Sequence, residues 1–285
     1  MRLSNIIFLS LLKKILNKKL IAQFLGRKVP YFKGKSKIIR FLYPPDKYKN
    51  IHKGEIFIVE YFDKKYQGIT SNYIDWGVYF YGGLEKGLIN YIKTEIKNFN
   101  YFLDIGSNSG TISLPFINQN NLKIICFEPL EYNFQKLKKN YELNNASENH
   151  IIHKLALSDK QGDDYIYFKD IKDENVGGAT LDKTRKINDT QSEKIKIERL
   201  DDLYKFKNEN IFIKIDVEGF EKQVIKGATD NLKNNKILMY LETEDQELLS
   251  YMEELNFKIL YPHFRENKYK FLKKQADVHI LLKNF

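Results

Sequence analysis

The chain contains 285 residues, of which 42% are hydrophobic and 14% aromatic, and its formal net charge at pH 7 is +10. This length suffices for one large domain or for one domain with an extension. The single cysteine, Cys126, excludes an intrachain disulfide framework and is typical of a reducing compartment. Five scattered histidines provide no transition-metal motif.

Positive charge is concentrated near the N-terminus. Residues 1–50 contain 13 Lys or Arg side chains and one acid, Asp46, whereas residues 51–285 contain 34 basic and 36 acidic side chains. The sequence therefore predicts a basic arm and linker over residues 1–50 and a nearly neutral domain over residues 51–285, with a ligand-binding core from about residue 99. A nearly neutral domain does not favour a nucleic-acid partner.

The arm has the spacing of an amphipathic helix from Ile6 to Leu25, with apolar side chains on one face and lysines on the opposite one. Its longest apolar run, Ile6 to Leu12, is far below the ~20 residues that cross a bilayer. No small-residue cleavage site follows that run. Two interpretations remain: residues 1–25 lie on an anionic membrane surface, or they pack against the body or a second subunit. We expect a cytoplasmic protein, which the first interpretation places on the inner face of the membrane.

A short apolar run leads into the sequence DIGSNSG, residues 104–110. The pattern predicts a strand, a glycine turn and the start of a helix, an arrangement that directs backbone N–H groups at a ligand. Gly106 and Gly110 would let the chain approach a nucleoside closely, with Asp104 and Asn108 beside it. Asn108 occupies the central glycine position of the dinucleotide fingerprint, so the match to that motif is poor. The alternative is a strand-to-helix turn without a ligand.

The next two apolar runs also end in polar residues. Glu128 follows the first of them, 22 residues after Gly106. In a doubly wound sheet an acid at this spacing accepts hydrogen bonds from ribose hydroxyls, although a solvated strand end is the alternative. The second run, His150 to Leu157, turns at Ser158 and Asp159, where a strand end would flank the base of the same nucleoside.

Three further segments are candidates for the crevice. Residues 73–88, rich in aromatic residues and glycine, lie where a lid would enter, and Glu85 there either reaches a ligand ammonium group or is an exposed acid in a first helical turn. The glycine-rich loop of residues 175–180 is a substrate loop or a disordered segment. Glu242, at the end of a late strand, is placed to face the pocket.

The second chemical centre is the sequence IFIKIDVEGFE, residues 211–221. A buried strand there ends in closely spaced acids, including Asp216 and Glu218, a pattern that favours shifted pKa values or a bound cation. Because parallel strands end at one edge of a sheet, we expect Asp216 near Asp104 and Glu128, where it would take a proton from an attacking hydroxyl. The alternative is that Asp216 caps the next helix and Glu218 is solvated in its first turn.

Together these motifs resemble a known family. DIGSNSG, FEP, ALSDKQG, LDDL and KIDVEGFEKQVIKGA, in that order, are similar to the FkbM-type family of S-adenosylmethionine-dependent methyltransferases. The resemblance extends from about Tyr73 to the C-terminus, and its most specific block is residues 213–228. It implies an α/β, Rossmann-like class I methyltransferase fold: a mostly parallel seven-stranded sheet with its last strand antiparallel and helices on both faces, preceded by the basic arm.

The same resemblance implies S-adenosylmethionine as the cofactor and assigns roles by position. Asp104, Gly106 and Gly110 would hold its amino acid end, Glu128 its ribose, and Ser158 and Asp159 would border its adenine. Apart from the resemblance, the positions of Asn108 and Glu85 in the chain make them further candidates for contact with the cofactor. Asp216 and Glu218 fall in the signature after the fourth strand, and their physical position at the end of that strand makes them the candidates for catalysis. Pro115 departs from the pattern, because it falls inside the expected first helix, which must start near Ile112 or kink.

The function we expect is O-methylation of a hydroxyl, on a sugar of a surface glycan or glycolipid precursor, with Asp216 as base or orienting group. The sugar comes from the resemblance alone. Two alternatives remain: a nicotinamide-dependent oxidoreductase that uses the same crevice, and a non-catalytic adaptor derived from a methyltransferase. Asn108 counts against the first. The sequence contains no motif that identifies a metal site. Two alternatives remain for Asp216, Glu218 and Glu242: they bind Mg²⁺, or they bind no metal.

Overall fold

The computed structural model describes residues 18–44, 54–119, 121–169, 178–182, 190–265, 268–272 and 279–285. Residues 6–17 of the expected arm helix and residues 175–177 of the glycine-rich loop therefore lie outside the described residues.

Helices and strands alternate through most of the described chain. The α-helices are α1 (Lys18–Lys28), α2 (Lys35–Leu42), α3 (Tyr73–Tyr81), α4 (Lys86–Glu95), α5 (Glu131–Glu142), α6 (Leu200–Leu203), α7 (Glu221–Lys226), α8 (Thr229–Asn234) and α9 (Gln246–Glu254). The strands are β1 (Ile56–Tyr61), β2 (Lys64–Ile69), β3 (Tyr101–Ile105), β4 (Lys123–Phe127), β5 (Ile151–His153), β6 (Ala156–Leu157), β7 (Gly162–Lys169), β8 (Thr190–Glu198), β9 (Asn210–Ile215), β10 (Lys236–Glu242), β11 (Lys258–Arg265), β12 (Lys268–Leu272) and β13 (His279–Lys283).

An eight-stranded sheet forms the centre of the described structure, in the order β12-β11-β13-β10-β9-β3-β4-β5. The strands from β10 to β5 in this order are parallel, and β13 lies antiparallel between β10 and β11. The predicted Rossmann-like α/β class is confirmed. The predicted count of seven strands is one too low, because the closing hairpin contains an additional edge strand, β12, paired with β11.

Apolar side chains cover both faces of this sheet. Successive residues of β3 point to opposite faces: Phe102 packs in a cluster with Leu88 of α4, whereas Leu103 packs in a cluster with Ile225 of α7 and Leu248 of α9. Burial on both faces explains why the central strands are nearly continuous apolar runs. Polar side chains occur instead at the carboxyl ends of these strands, outside the apolar core.

The third predicted strand is divided between two sheets. Residues 151–153 form β5 at the edge of the main sheet, but β6 begins a separate three-stranded sheet in the order β6-β8-β7. Leu155 is buried with the residues of the main sheet, while Ala156 joins the cluster of Ile166 and Ile195 beneath the small sheet. Residues 150–157 thus contribute to two hydrophobic cores. Because these residues form one continuous apolar run, the sequence does not show where the first strand ends and the second begins.

The chain after the glycine turn differs from the predicted helix start. Residues 111–113 are turns, and a 3-10 turn follows at Leu114–Phe116. Pro115 has no N–H to donate to the carbonyl of Thr111. The hydroxyl of Tyr61, on β1, donates to that carbonyl instead, at 2.7 Å. The prediction of a helix here is wrong, and the hairpin of β1 and β2 supplies the bond that a helix would have made.

The hairpin and the first three helices form a layer beside the sheet. Phe62 and Asp63 at the tip of the hairpin both have positive φ angles, the backbone of a tight two-residue turn. Helices α1 and α2 pack on α3, where Ile39, Trp76 and Phe80 share one buried cluster. This N-terminal layer covers the side of the sheet on which the site lies.

Candidate active site

A deep cleft opens at the carboxyl ends of β3, β4, β9 and β10. It contains about 1230 Å³ of space, a volume that includes the solvent-filled mouth. The acids that line it are Glu85, Glu128, Asp216, Glu218 and Glu242. They come from four separate parts of the fold and converge because parallel strands end at the same edge.

The structure brings most of the predicted site residues together here, but not all of them. Six line the cleft: Glu85, Gly106, Asn108, Glu128, Asp216 and Glu218. Four others do not appear among the described residues that line it: Asp104, Gly110, Ser158 and Asp159. The sequence did not predict several polar residues that line the cleft, among them Tyr61 and Lys214.

Ser158 and Asp159 follow β6, which pairs within the three-stranded sheet and not within the main sheet. The N–H of Ser158 donates to the carbonyl of Glu198 at 2.8 Å, and the carbonyl of Ser158 packs so tightly on Gly227 that a Cβ there would lie 1.8 Å from it. Asp159 is exposed. Their placement follows from the division of the third strand, because the main-sheet strand already ends at residue 153.

The two glycines of the turn are required by contacts within the protein. Gly106 has φ +74°, and a Cβ there would lie 2.0 Å from the carbonyl oxygen of Asp216. Gly110 has φ +84°, and a Cβ there would lie 2.6 Å from Cδ1 of Leu137 on α5. Positive φ and close contact both favour glycine. Gly106 therefore allows the turn after β3 to pack against the turn after β9, and Gly110 allows it to pack against α5. The sequence alone suggested close approach to a ligand as the reason for both glycines.

The N–H groups of the glycine turn are hydrogen-bonded within the protein. The N–H of Asn108 donates to Oε2 of Glu128 at 2.8 Å, and the N–H of Ser109 donates to Oδ1 of Asn108 at 2.8 Å. Residues 106, 107 and 110 donate to backbone carbonyls at 2.8–3.1 Å. The predicted presentation of these N–H groups to a ligand is therefore wrong, because Glu128 takes the place of an anion.

Lys214 lies buried beneath the acids, next to the last residue of β9. Its Nζ donates to the carbonyl of Gly106 at 2.7 Å and lies 3.6 Å from Oδ1 of Asp104 and 3.5 Å from Oδ2 of Asp216. It thus joins the completely buried Asp104 to the cleft. The sequence held a signal for this residue, since a lysine inside the otherwise apolar run IFIKI needs a buried partner.

This cluster has shifted protonation equilibria. Burial raises the pKa of Asp104, against the opposing charge of Lys214. Burial alone would lower the pKa of Lys214, but the carboxylates of Asp216, Asp104 and Glu85 outweigh burial and raise it. Lys214 is therefore a permanent ammonium group at neutral pH.

Two acids of the cleft titrate near neutrality. Burial and the charge of Asp216 raise the pKa of Glu85 to about 7. Burial also raises the pKa of Glu128 to about 7, although its carboxylate accepts hydrogen bonds from the N–H groups of Leu130 and Asn108. Because the ordinary value is 4.5, the folded chain holds more protons than the unfolded chain between about pH 4.5 and 7. These two groups consequently lower the free energy of unfolding as the pH rises through that interval.

Asp216 does not cap the helix that follows it. Helix α7 begins at Glu221, its N-cap position is Phe220, and no side chain caps it. The turn is held instead by Oε1 of Glu221, which accepts from the N–H groups of Val217 at 3.3 Å and Gly219 at 3.1 Å. The capping alternative is therefore wrong, and the Asp216 side chain faces the cleft.

A second part of the lining is apolar. It comprises Ala156, Leu157, Ile166, Ala179, Leu181 and Phe220. Ala179 belongs to the described end of the glycine-rich loop and Leu181 follows the loop directly; between them, the hydroxyl of Thr180 donates to the carbonyl of Glu218 at 2.6 Å. That end of the loop is therefore part of the cleft wall, tied to the turn after β9.

Comparison of the sequence with protein-family models identifies a family for this chain. The family model of the methyltransferase FkbM domain matches residues 104–259, more than half of the chain. The chain belongs to the FkbM methyltransferase family. The resemblance found in the sequence motifs is confirmed. No curated protein matches the chain in sequence.

Similarity to solved structures is low in sequence. A precorrin-6y C5,15-methyltransferase from Geobacter metallireducens is 12% identical, with 68% of this chain and 83% of that chain covered and a TM-score of 0.37. TYW2 from M. jannaschii in complex with AdoMet is 11% identical, with 81% and 86% covered and a TM-score of 0.40. A tRNA (uracil-54, C5)-methyltransferase from Pyrococcus abyssi in complex with S-adenosyl-L-homocysteine is 11% identical, with 80% and 43% covered and a TM-score of 0.43.

The cleft of this FkbM-family chain also uses residues that precede the matched domain. Tyr61, Ile74, Val78, Leu84 and Glu85 all line it and come from β1, α3 and the approach to α4. The N-terminal layer therefore completes the site.

One buried network joins this layer to the glycine turn. Asp75, on α3, accepts hydrogen bonds from the hydroxyl of Tyr66 at 2.5 Å and from Nζ of Lys136 at 2.7 Å. The hydroxyl of Tyr66 also lies 2.7 Å from Oγ of Ser109. Strand β2 and helices α3 and α5 are thereby connected to the turn. Among the residues that the structure describes, no group of three or more His, Cys, Asp or Glu side chains is arranged to hold a metal ion.

Proposed function

We propose that this chain transfers a methyl group from S-adenosylmethionine to a hydroxyl, on a sugar of a surface glycan or glycolipid precursor. The observation that carries the choice of donor is the charge of the cleft. Five acids and Lys214 line it within the described residues, so the field favours a cationic ligand. A pyrophosphate would need free N–H donors, and those of the glycine turn are already bonded. The sugar preference rests on the family resemblance alone.

The residues of the cleft fit this nucleoside. Glu128 accepts two N–H bonds, and its carboxylate has acceptor capacity left for ribose hydroxyls. Glu85 and Asp216 provide negative charge for the ammonium and sulfonium groups, and Leu157 and Leu181 provide apolar surface for a base. When bound, S-adenosylmethionine supplies a methyl group on a positively charged sulfur.

Asp216 is our candidate for the group that contacts the acceptor hydroxyl. Its side chain is 31% exposed, and its Oδ2 lies 3.5 Å from Nζ of Lys214. As a carboxylate it orients the hydroxyl and takes its proton, while the walls of the cleft align the acceptor. Glu218 lies in the same turn and lines the same space. Asp104 contributes as a positioning residue through Lys214.

A comparison of two ligands tests the choice of donor. We expect S-adenosylhomocysteine at a hundred times its Kd to add about 2.7 kcal/mol to the free energy of unfolding, a rise in Tm of several degrees for a chain of this size. NAD at the same concentration should leave Tm unchanged, because the cleft repels its phosphates. Thermal unfolding measures both. A larger shift with NAD would establish the oxidoreductase alternative.

Ligand affinity should depend on pH. Glu128 and Glu85 have pKa values of about 7, and the ionised carboxylates are the forms that accept ribose hydroxyls and attract an ammonium group. We expect S-adenosylhomocysteine to bind about tenfold more tightly at pH 8 than at pH 6, the change in the ionised fraction of one such group. Isothermal titration measures this, and Glu128→Gln should bind more weakly at pH 8 with a flatter profile. Equal affinity of the unmodified chain at both pH values would contradict the assignment.

A further inference from the structure

We propose that helices α1 and α2 form a docking surface for an anionic lipid bilayer. We call it the α1–α2 surface and define it by Leu20, Phe24, Lys28, Lys37 and Phe41. The inference does not depend on the methyl acceptor, because it rests on the exposure, charge and anchoring of these two helices.

Each helix buries one side on the body and exposes large apolar groups on the other. On α1, Ala22 and Gly26 are buried, whereas Leu20 and Phe24 are 55% and 60% exposed. With 3.6 residues per turn, this places Leu20 and Phe24 on one face, roughly opposite the buried pair. The outer face of α1 is therefore apolar where a surface helix would ordinarily be polar.

Helix α2 repeats the arrangement. Ile39 is completely buried, whereas Phe41 is 85% exposed and Lys37 shares its side of the helix. The segment between the helices exposes Tyr31 as well, at 68%. Exposed aromatic side chains together with lysines are typical of helices that lie in a membrane interface, where the rings enter the headgroup region.

Charge decides which partner this surface fits. Residues 18–44 contain eight Lys or Arg side chains and no acid, and residues 1–50 contain a single acid. Lysines near a bilayer contribute about 1 kcal/mol each when the lipids are anionic. A second copy of the chain would bring the same positive charge to the contact and be repelled, and the apolar rings give no advantage with an RNA backbone. An anionic lipid surface satisfies both the rings and the lysines.

The surface is fixed rigidly to the body. The guanidinium of Arg27 donates to the carbonyls of Val78 and Tyr79 at 2.9 Å each, and also to the carbonyl of Glu60. A Cβ at Gly26 would lie 2.0 Å from the carbonyl oxygen of Phe80, so α1 sits directly on α3. Val78 of α3, whose carbonyl accepts from Arg27 of α1, also lines the cleft, so α3 connects the α1–α2 surface to the cleft wall. Within the described residues, no helix is long and apolar enough to cross a bilayer.

Vesicle binding by the full chain tests the proposal. We expect the chain to sediment with vesicles that contain 30% phosphatidylglycerol and to remain in solution with pure phosphatidylcholine. The double variant Phe24→Ser, Phe41→Ser should bind the anionic vesicles at least tenfold more weakly. Lys28→Gln with Lys37→Gln should weaken binding several-fold and reduce its dependence on salt.

The matched control is Tyr165→Ser with Phe271→Ser, because these rings are each 47% exposed on strands of the body. It should bind vesicles as the unmodified chain does, and thermal unfolding should show that both double variants are folded. Three results would overturn the proposal: unchanged binding by Phe24→Ser, Phe41→Ser; equal binding to both vesicle types; or self-association that the Phe24 and Phe41 substitutions abolish.

Discussion

Replacing Asp216 with alanine is expected to reduce methyl transfer by about 10²–10⁴-fold, the range for loss of a positioned general base. Affinity for S-adenosylhomocysteine should change only a few fold, because the ligand keeps its contacts with Glu128 and the apolar wall. Asp216→Asn should be impaired to a similar degree, since an amide keeps the shape of the carboxylate but accepts no proton. Transfer of labelled methyl groups to a glycolipid fraction measures the rate, and isothermal titration measures the affinity.

The control for this experiment is Glu148→Gln, a change at an exposed acid in the turn after α5, which should leave both quantities unchanged. A fall in ligand affinity as large as the fall in rate would assign Asp216 to cofactor binding. Unchanged turnover in Asp216→Ala would remove the residue from the mechanism and direct attention to Glu218, which lines the same space.

The convergence of Glu128 and Asp216 could be predicted from the sequence because two simple facts determine it. Each acid follows a short apolar run, and parallel strands end at one edge of a sheet. Neither fact depends on distant side chains. The same logic located Glu242, which also lines the cleft. Positions fixed by strand order can thus be derived from the pattern of the chain.

Other parts of the site depend on contacts that the local pattern does not contain. Ser158 follows a strand of the small sheet, which the sequence did not indicate, because the apolar run before this residue is unbroken although it contributes to two cores. The helix expected after Gly110 does not form, and the hydrogen bond that replaces it comes from Tyr61, 50 residues away. The hairpin that carries Tyr61 precedes the family match, so neither the motifs nor the resemblance assigned Tyr61 to the site.

The local sequence signals that Lys214 needs a buried partner, but only the fold shows that this partner is Asp104. Of the substitutions proposed, the replacement of Lys214 should lower the free energy of unfolding most. Lys214→Met leaves Asp104, which is completely buried, without its compensating charge. Breaking a buried ion pair in this way costs about 3–5 kcal/mol. Urea unfolding measures the loss. Lys207→Met, at an exposed loop lysine, is the matched control and should change the free energy of unfolding by less than about 0.5 kcal/mol.

The dependence of that loss on pH distinguishes an uncompensated charge from a simple loss of packing. Burial already raises the pKa of Asp104, and the charge of Lys214 opposes the rise, so the variant should raise it further. A carboxyl with a raised pKa keeps its proton in the folded state, so stability is lost as the pH rises through that value. Lys214→Met should therefore be less destabilised at pH 5 than at pH 8, and adding Asp104→Asn should recover much of the stability at pH 8. A loss that is equal at both pH values, or no recovery in the double variant, would show that Lys214 acts by filling space, and that Asp104 does not depend on its charge.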